Sequence, residues 1–321
     1  MLRSFFYILI LNLSGYAAYA ANDLTNPIKF PKAEYLNEYT TRIPFKLVDH
    51  LIVVEAELFN KRGNFIIDTG SESLILNKVH FNNLYEHQKS SKASSGISQS
   101  IDNIYEKRIK EFILENFKLE NKTSDIFDLS HIEKSKKIKL LGIIGYDILK
   151  DYEVFVDLHL NQITLTKVDK LGNKLNKHVY LEKIVDSLDF NLKNHTIVLN
   201  ATVNYQPVKL GLDTAAEFNQ INKSVHKHAL KYFIPKRRLK LTGIGNKTIK
   251  VMAGKLHRVK LSPTVYFGPM QTVLTNLNKM NEAFGTSLDG VLGYEFFVQK
   301  RTIINYKKEK LYFINYPIDF K

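Results

Sequence analysis

Phe65-Ile66-Ile67-Asp68-Thr69-Gly70-Ser71-Glu72 is an apolar run that ends in an acid, a hydroxyl, a glycine and a second hydroxyl. It reads as a buried strand delivering one carboxylate to a tight turn, where Gly70 permits backbone angles or close approaches that a side chain would obstruct. The same residues also suit an ordinary strand end, because aspartate, threonine, glycine and serine are all common turn formers. A second copy changes the balance. Leu210-Gly211-Leu212-Asp213-Thr214-Ala215-Ala216-Glu217 places the same acid and hydroxyl after another apolar strand, so Asp68 has a candidate partner in Asp213.

Working outward, the neighbourhoods of the two stretches match. Ile43–Val48 and Leu51–Leu58 read as strands, with Asn60–Asn64 as the turn into the Asp68 strand; Thr196–Val203 and a turn at Tyr205-Gln206-Pro207 precede Asp213 in the same way. Downstream, Leu74–Asn77 suggests a strand, Ser90–Gly96 a serine-rich tip, and Tyr105–Leu119 strands returning to the core. Gly142-Ile143-Ile144-Gly145 and a hairpin over Val154–Leu165, turning near Asn161, close the first half. Gly290-Val291-Leu292-Gly293 and Thr302–Phe313 close the second. Asp68 to Gly142 spans 74 positions and Asp213 to Gly290 spans 77, far longer than a solenoid period. The chain is read as two copies of one design: residues 40–166 and 187–321, joined by a Lys- and Asn-rich linker at 167–186.

The N-terminus carries Arg3, an apolar run from Phe5 to Leu13, and Ala18-Tyr19-Ala20 before Ala21. That is the pattern of a secretory signal peptide over residues 1–20, followed by an arm at 21–39 in which Pro27 and Pro31 discourage regular structure. No later stretch approaches the roughly 20 apolar residues of a membrane-spanning helix. The chain has no cysteine, which excludes disulfides, thiolate metal sites and cysteine nucleophiles. Export without disulfides points to a bacterial envelope, so the protein is expected to be periplasmic or secreted. The net charge of +14 is scattered over short clusters such as Lys236-Arg237-Arg238, without the dense tract of a nucleic-acid module. No nucleic-acid partner is expected.

Two aspartates on equivalent turns of duplicated halves can meet across a pseudo-twofold axis. Carboxylates a few ångströms apart do not both ionise readily, so such a pair holds one proton over an extended pH range. One acid then accepts a proton from water while the other donates to a carbonyl oxygen, which suits amide hydrolysis. No metal or cofactor is expected. Competing patterns are weak: His226-Lys227-His228 has no acidic set or histidine-glutamate zinc pattern around it, no Gly-x-Ser-x-Gly elbow occurs, and Gly243-Ile244-Gly245 is too short for a nucleotide-binding fingerprint.

Asp68-Thr69-Gly70-Ser71, with the two glycine-flanked apolar segments in order behind the acids, resembles the aspartic protease superfamily, especially its retropepsin-like and bacterial groups. A proton shared by the dyad is the known behaviour of that family. The resemblance covers about residues 43–315. It implies an all-β, bilobal, pepsin- or retropepsin-like acid protease fold, with two β-barrel-like lobes around a central cleft that takes a peptide or protein substrate. It further implies an aspartic endopeptidase acting as a monomer with pseudo-twofold lobes. Asp68 and Asp213 would be catalytic, and Thr69, Gly70, Ser71, Thr214 and Ala215 would support the turns, with Ser71 donating to the outer oxygen of Asp68. The glycine-flanked segments would pack beneath the turns. Flaps would centre on Gly96 and on Gly243 and Gly245, with Tyr105 as a core or surface aromatic beside the first. Ala215, where the first copy has Gly70, departs from the pattern: if positive φ is needed there, alanine is costly, and the alternative is a catalytically degenerate protease-like peptide-binding protein.

Overall fold

The computed structural model describes residues 10–11, 28–81, 94–95, 100–101, 105–180, 182–242 and 248–316. Leu51–Leu58 is buried along nearly its whole length and forms an interior strand. It reverses through Phe59 and Asn60, at φ 50° and 58°, and returns antiparallel as Lys61–Ile67. A two-residue turn with both residues left-handed matches the right-handed twist of its flanking strands. Lys61–Asn64, expected as turn, is therefore strand. The second half repeats the device: Thr196–Val203 turns through Asn204 and Tyr205, at φ 48° and 64°, so Gln206 and Pro207 already belong to the strand Gln206–Leu212.

Each half then threads a third strand beside the one that carries its aspartate. Leu140–Ile144 runs parallel to Lys61–Ile67 and antiparallel to Leu74–Asn77. Gly290–Leu292 stands in the same relation to Gln206–Leu212 and Asn219–Asn222. Long hairpins complete the two sheets, Tyr105–Leu114 with Phe117–Phe127 and Phe233–Thr242 with Thr248–Leu256. Short helices, Ser130–Lys136 and Asn278–Phe284, sit at matching places in the repeat. Each stops on a left-handed residue, Lys137 at φ 53° and Gly285 at φ 59°, which is how helices commonly end.

A third sheet draws strands from both halves. Its order is Ile184–Asp189, Lys310–Ile314, Arg301–Asn305, Tyr152–Asp157, Gln162–Lys167, Thr40–Pro44 and Glu34–Asn37. At its centre the closing hairpins of the halves pair edge to edge, with Val154 opposite Ile304 and Phe155 opposite Ile303. The arm at 21–39, expected to lack regular structure, contains some: Glu34–Asn37 adds an edge strand to Thr40–Arg42, past the reach of Pro31. The largest apolar cluster includes residues of all three sheets, and a second one joins Leu51, Ile66 and Ile143 to Ala215, Ala216 and Val291 across the halves. No helix among the described residues is long and apolar enough to cross a membrane.

Candidate active site

The strands Lys61–Ile67 and Gln206–Leu212 each end one residue before an aspartate, and both turns are tied down by the same bonds. Asp68 N–H donates to the Ile144 carbonyl at 3.0 Å, and Asp213 N–H to the Leu292 carbonyl at 2.9 Å. Tyr146 N–H reaches the Ser71 carbonyl at 2.8 Å, and Tyr294 N–H the Ala216 carbonyl at 2.9 Å. These contacts require the backbone to lie directly on the turn. A Cβ on Gly145 would sit 2.5 Å from the Ser73 carbonyl oxygen, and one on Gly293 would sit 2.1 Å from that of Ala216. The glycine-flanked segments pack beneath the turns for that steric reason.

The two turns also bond to each other. Thr69 N–H donates to Thr214 Oγ1 at 3.1 Å and Thr214 N–H to Thr69 Oγ1 at 3.0 Å. Each hydroxyl passes its own proton to the carbonyl just before the opposite aspartate, Thr214 to Ile67 at 2.8 Å and Thr69 to Leu212 at 3.4 Å. All four bonds are buried, so no water competes for them. The placement of one aspartate is thereby fixed relative to the other.

Within each turn the inner carboxylate oxygen accepts from the backbone. Asp68 Oδ1 takes Gly70 N–H at 2.8 Å and Ser71 N–H at 3.0 Å, and Asp213 Oδ1 takes Ala215 N–H at 2.8 Å, while Ala216 N–H donates to the Asp213 backbone carbonyl at 3.3 Å. Ser71 does not donate its hydroxyl to Asp68. Its Oγ turns to the Ser73 carbonyl at 3.3 Å, and its amide makes the carboxylate contact. Ala216 in the second turn therefore sacrifices no bond to Asp213. The backbone strain expected at Ala215 is absent: neither Gly70 nor Ala215 is at positive φ, and the Ala215 methyl is buried in the apolar cluster that joins the halves.

Asp68 and Asp213 are both buried, and their carboxyls lie close enough for each to act on the other's ionisation. Burial raises both acids above the ordinary carboxylate range, and for Asp68 the Asp213 charge raises it further; the backbone donors pull the other way and do not prevail. Two buried carboxyls that act on each other's charge do not both ionise readily, so the pair holds a proton where an isolated acid would have lost it. Tyr306 lies close enough to feel both charges; burial first, then Tyr146 and the two aspartates, raise its hydroxyl.

No protein-family model matches the chain, and no curated protein matches it in sequence. Among solved structures, the aspartic proteinase from Irpex lacteus matches with a TM-score of 0.50 at 10% identity, over 88% of this chain and 98% of that one. The fold is that of a pepsin-like aspartic proteinase. At this identity the likeness is one of architecture: two β-barrel-like lobes with a cleft between them.

On the pepsin-like frame the remaining sequence expectations can be placed. Gly96, Gly243 and Gly245 lie outside the described residues, although the hairpin leading to the latter two is formed up to Thr242 and Thr248. Tyr105 is partly buried against the main core. His226 and His228 are exposed in a turn. Four residues near the turns went unread in the sequence: Lys136, Glu217, His50 and His195. Lys136 Nζ is fully buried and pairs with Glu217 at 2.7 Å and Asp49 at 3.3 Å, joining the first lobe's helix to the residue four beyond Asp213. The signal for the histidines was present, because His50 precedes Asp68 by the same 18 positions by which His195 precedes Asp213.

Proposed function

We propose that the protein is an exported aspartic endopeptidase of the retropepsin-like, bacterial kind, which hydrolyses peptide bonds with Asp68 and Asp213 as its dyad. The observation that carries this reading is the pair of buried carboxyls on two matching turns that are cross-bonded through Thr69 and Thr214. The ionised member takes a proton from a water as the water's oxygen attacks the scissile carbonyl carbon. The protonated member donates to the carbonyl oxygen, giving a neutral gem-diol. In collapse the ionised carboxylate takes a proton from one gem-diol hydroxyl as the carbonyl re-forms and the C–N bond breaks, and the protonated carboxyl gives its proton to the leaving nitrogen, so the dyad ends with one proton as it began. The leader pattern before Ala21 and the absence of cysteine support export, and the presence of both turns in one chain supports a monomer.

The purified mature chain, assayed on a mixed peptide library from acidic to neutral pH, is expected to cleave. Asp68→Asn and Asp213→Asn should each lower kcat by about 10²–10⁴-fold. Cleavage that survives both substitutions would overturn the dyad. The rate should fall at low pH as the accepting carboxylate is protonated and at high pH as the shared proton is lost. N-terminal sequencing of the exported protein checks the leader and should begin at Ala21.

A further inference from the structure

Phe233–Thr242 and Thr248–Leu256, the long hairpin of the second lobe, carry Lys236, Arg237, Arg238, Lys240, Lys250 and Lys255 and no acid. Strand register sorts these charges. Leu239 pairs with Val251 and Leu241 with Ile249, and this face packs with Ala253 and Val273 against Phe218, which lies five residues beyond Asp213. Side chains alternate along a strand, so Arg238 and Lys240 stand on the other face, and both are exposed. Lys250 is directly opposite Lys240 on that face and is exposed too. Like charges so placed repel. Among the described residues none of the three has an ion-pair partner. The long hairpin of the first lobe, drawn from the same lysine-rich composition, interleaves acids with its lysines and pairs Glu111 with Lys118.

The basic hairpin also offers a backbone edge. Phe233–Thr242 is the last long strand of its sheet, and beyond it only Ile10–Leu11 pairs, antiparallel, at Leu241 and Thr242. Those two residues lie in the leader proposed above to be removed, and their pairing shows that the edge accepts an extended segment. We propose that this edge docks an acidic stretch of the polypeptide substrate as an added strand, with acids at alternate positions opposite Arg238 and Lys240. The proposal rests on the endopeptidase reading above. The main chain of the edge holds an extended peptide, and side-chain contacts at every second position select it. Residues two apart on the added strand fall on the cationic face, about 5 Å from their cross-strand neighbours. Two adjacent acids cannot do this, because one of them is sent to the apolar face. Phe218 seats the hairpin next to the second aspartate turn, so docking there raises the local concentration of substrate at the dyad.

Peptides that share one cleavable core, extended on either side by aspartate-threonine-aspartate, aspartate-aspartate-threonine or asparagine-threonine-asparagine, test this on the mature chain. The alternating acids should raise kcat/KM about three- to tenfold over the asparagine peptide, mostly through KM, which is what two exposed charge pairs supply. About 0.5 M salt should remove the advantage. The double variant Arg238→Gln/Lys240→Gln, confined to exposed side chains, should bring the alternating-acid peptide down to the asparagine one and change the latter by less than about twofold. Three results would each overturn the proposal: no preference for alternating acids, an adjacent-acid peptide that is as good, or a double variant that slows all three peptides alike. So would binding of phosphatidylglycerol vesicles or single-stranded RNA that the double variant loses while the three peptides are not told apart. If the wild type cleaves no peptide, the endopeptidase reading fails by itself, and fluorescence anisotropy of the same labelled peptides with wild type and double variant decides the docking.

Discussion

Ala215 and Gly70 occupy matching positions, and neither needs left-handed backbone. The feature that made the second turn look impaired in sequence therefore has no conformational consequence. Ala215→Gly should leave kcat/KM within about twofold and lower stability by up to about 1 kcal/mol, because glycine gives the unfolded chain more freedom; peptide kinetics with thermal melts checks both. The aspartates make an opposite kind of prediction. Their raised folded-state pKa values mean that the native state binds the shared proton more tightly than the unfolded chain does. Stability is then fullest below the ordinary carboxylate pKa of about 4 and is lost as pH rises through the raised values. Asp213→Asn removes that loss, so it should melt higher than wild type at pH 7 and above while being inactive. A melting curve that falls with pH as steeply in the variant would contradict the assignment.

At the scale of elements, much of the site was legible because it is written twice. The two acids, the glycine-flanked segments and the closing hairpins could be aligned from residue identity and spacing alone. Other features could not be aligned, since they depend on which faces meet. The Ser71 hydroxyl turned to Ser73 because its amide already satisfies Asp68. Phe59 and Tyr205 as left-handed turn residues run against their composition, and only the strand register places them. Lys136 and Glu217, 81 positions apart with unlike surroundings, gave no pattern at all. Breaking that pair by Lys136→Met strands a buried carboxylate and should destabilise by about 3–5 kcal/mol in chemical denaturation. Gly293→Ala pushes a methyl into the Ala216 carbonyl, and should destabilise by about 1–3 kcal/mol and depress kcat as the turn shifts.

For the whole molecule, two buried groups set opposite pH slopes. Burial lowers His195 to about 4 from its ordinary 6.5. A depressed base binds fewer protons folded than unfolded, so its contribution is intact above about pH 6.5 and is lost as pH falls through that value toward about 4, for about 3 kcal/mol in all. The dyad loses stability in the other direction over an overlapping range, so the two slopes oppose one another there. In His195→Phe the acid-side fall should flatten, which melts across that range would show. The fold class was readable because both halves announce strands. The third sheet was not, since nothing in the hairpin at Arg301–Ile314 says that its partner is Tyr152–Asp157. That pairing has a consequence for synthesis. The first half leaves the ribosome with the Tyr152–Asp157 edge unpaired, and it stays so until the strand Arg301–Asn305 has been made. The edge-to-edge joint between the halves thus forms only after both aspartate turns have been synthesised, so it can lock two lobes together but cannot guide the making of either turn.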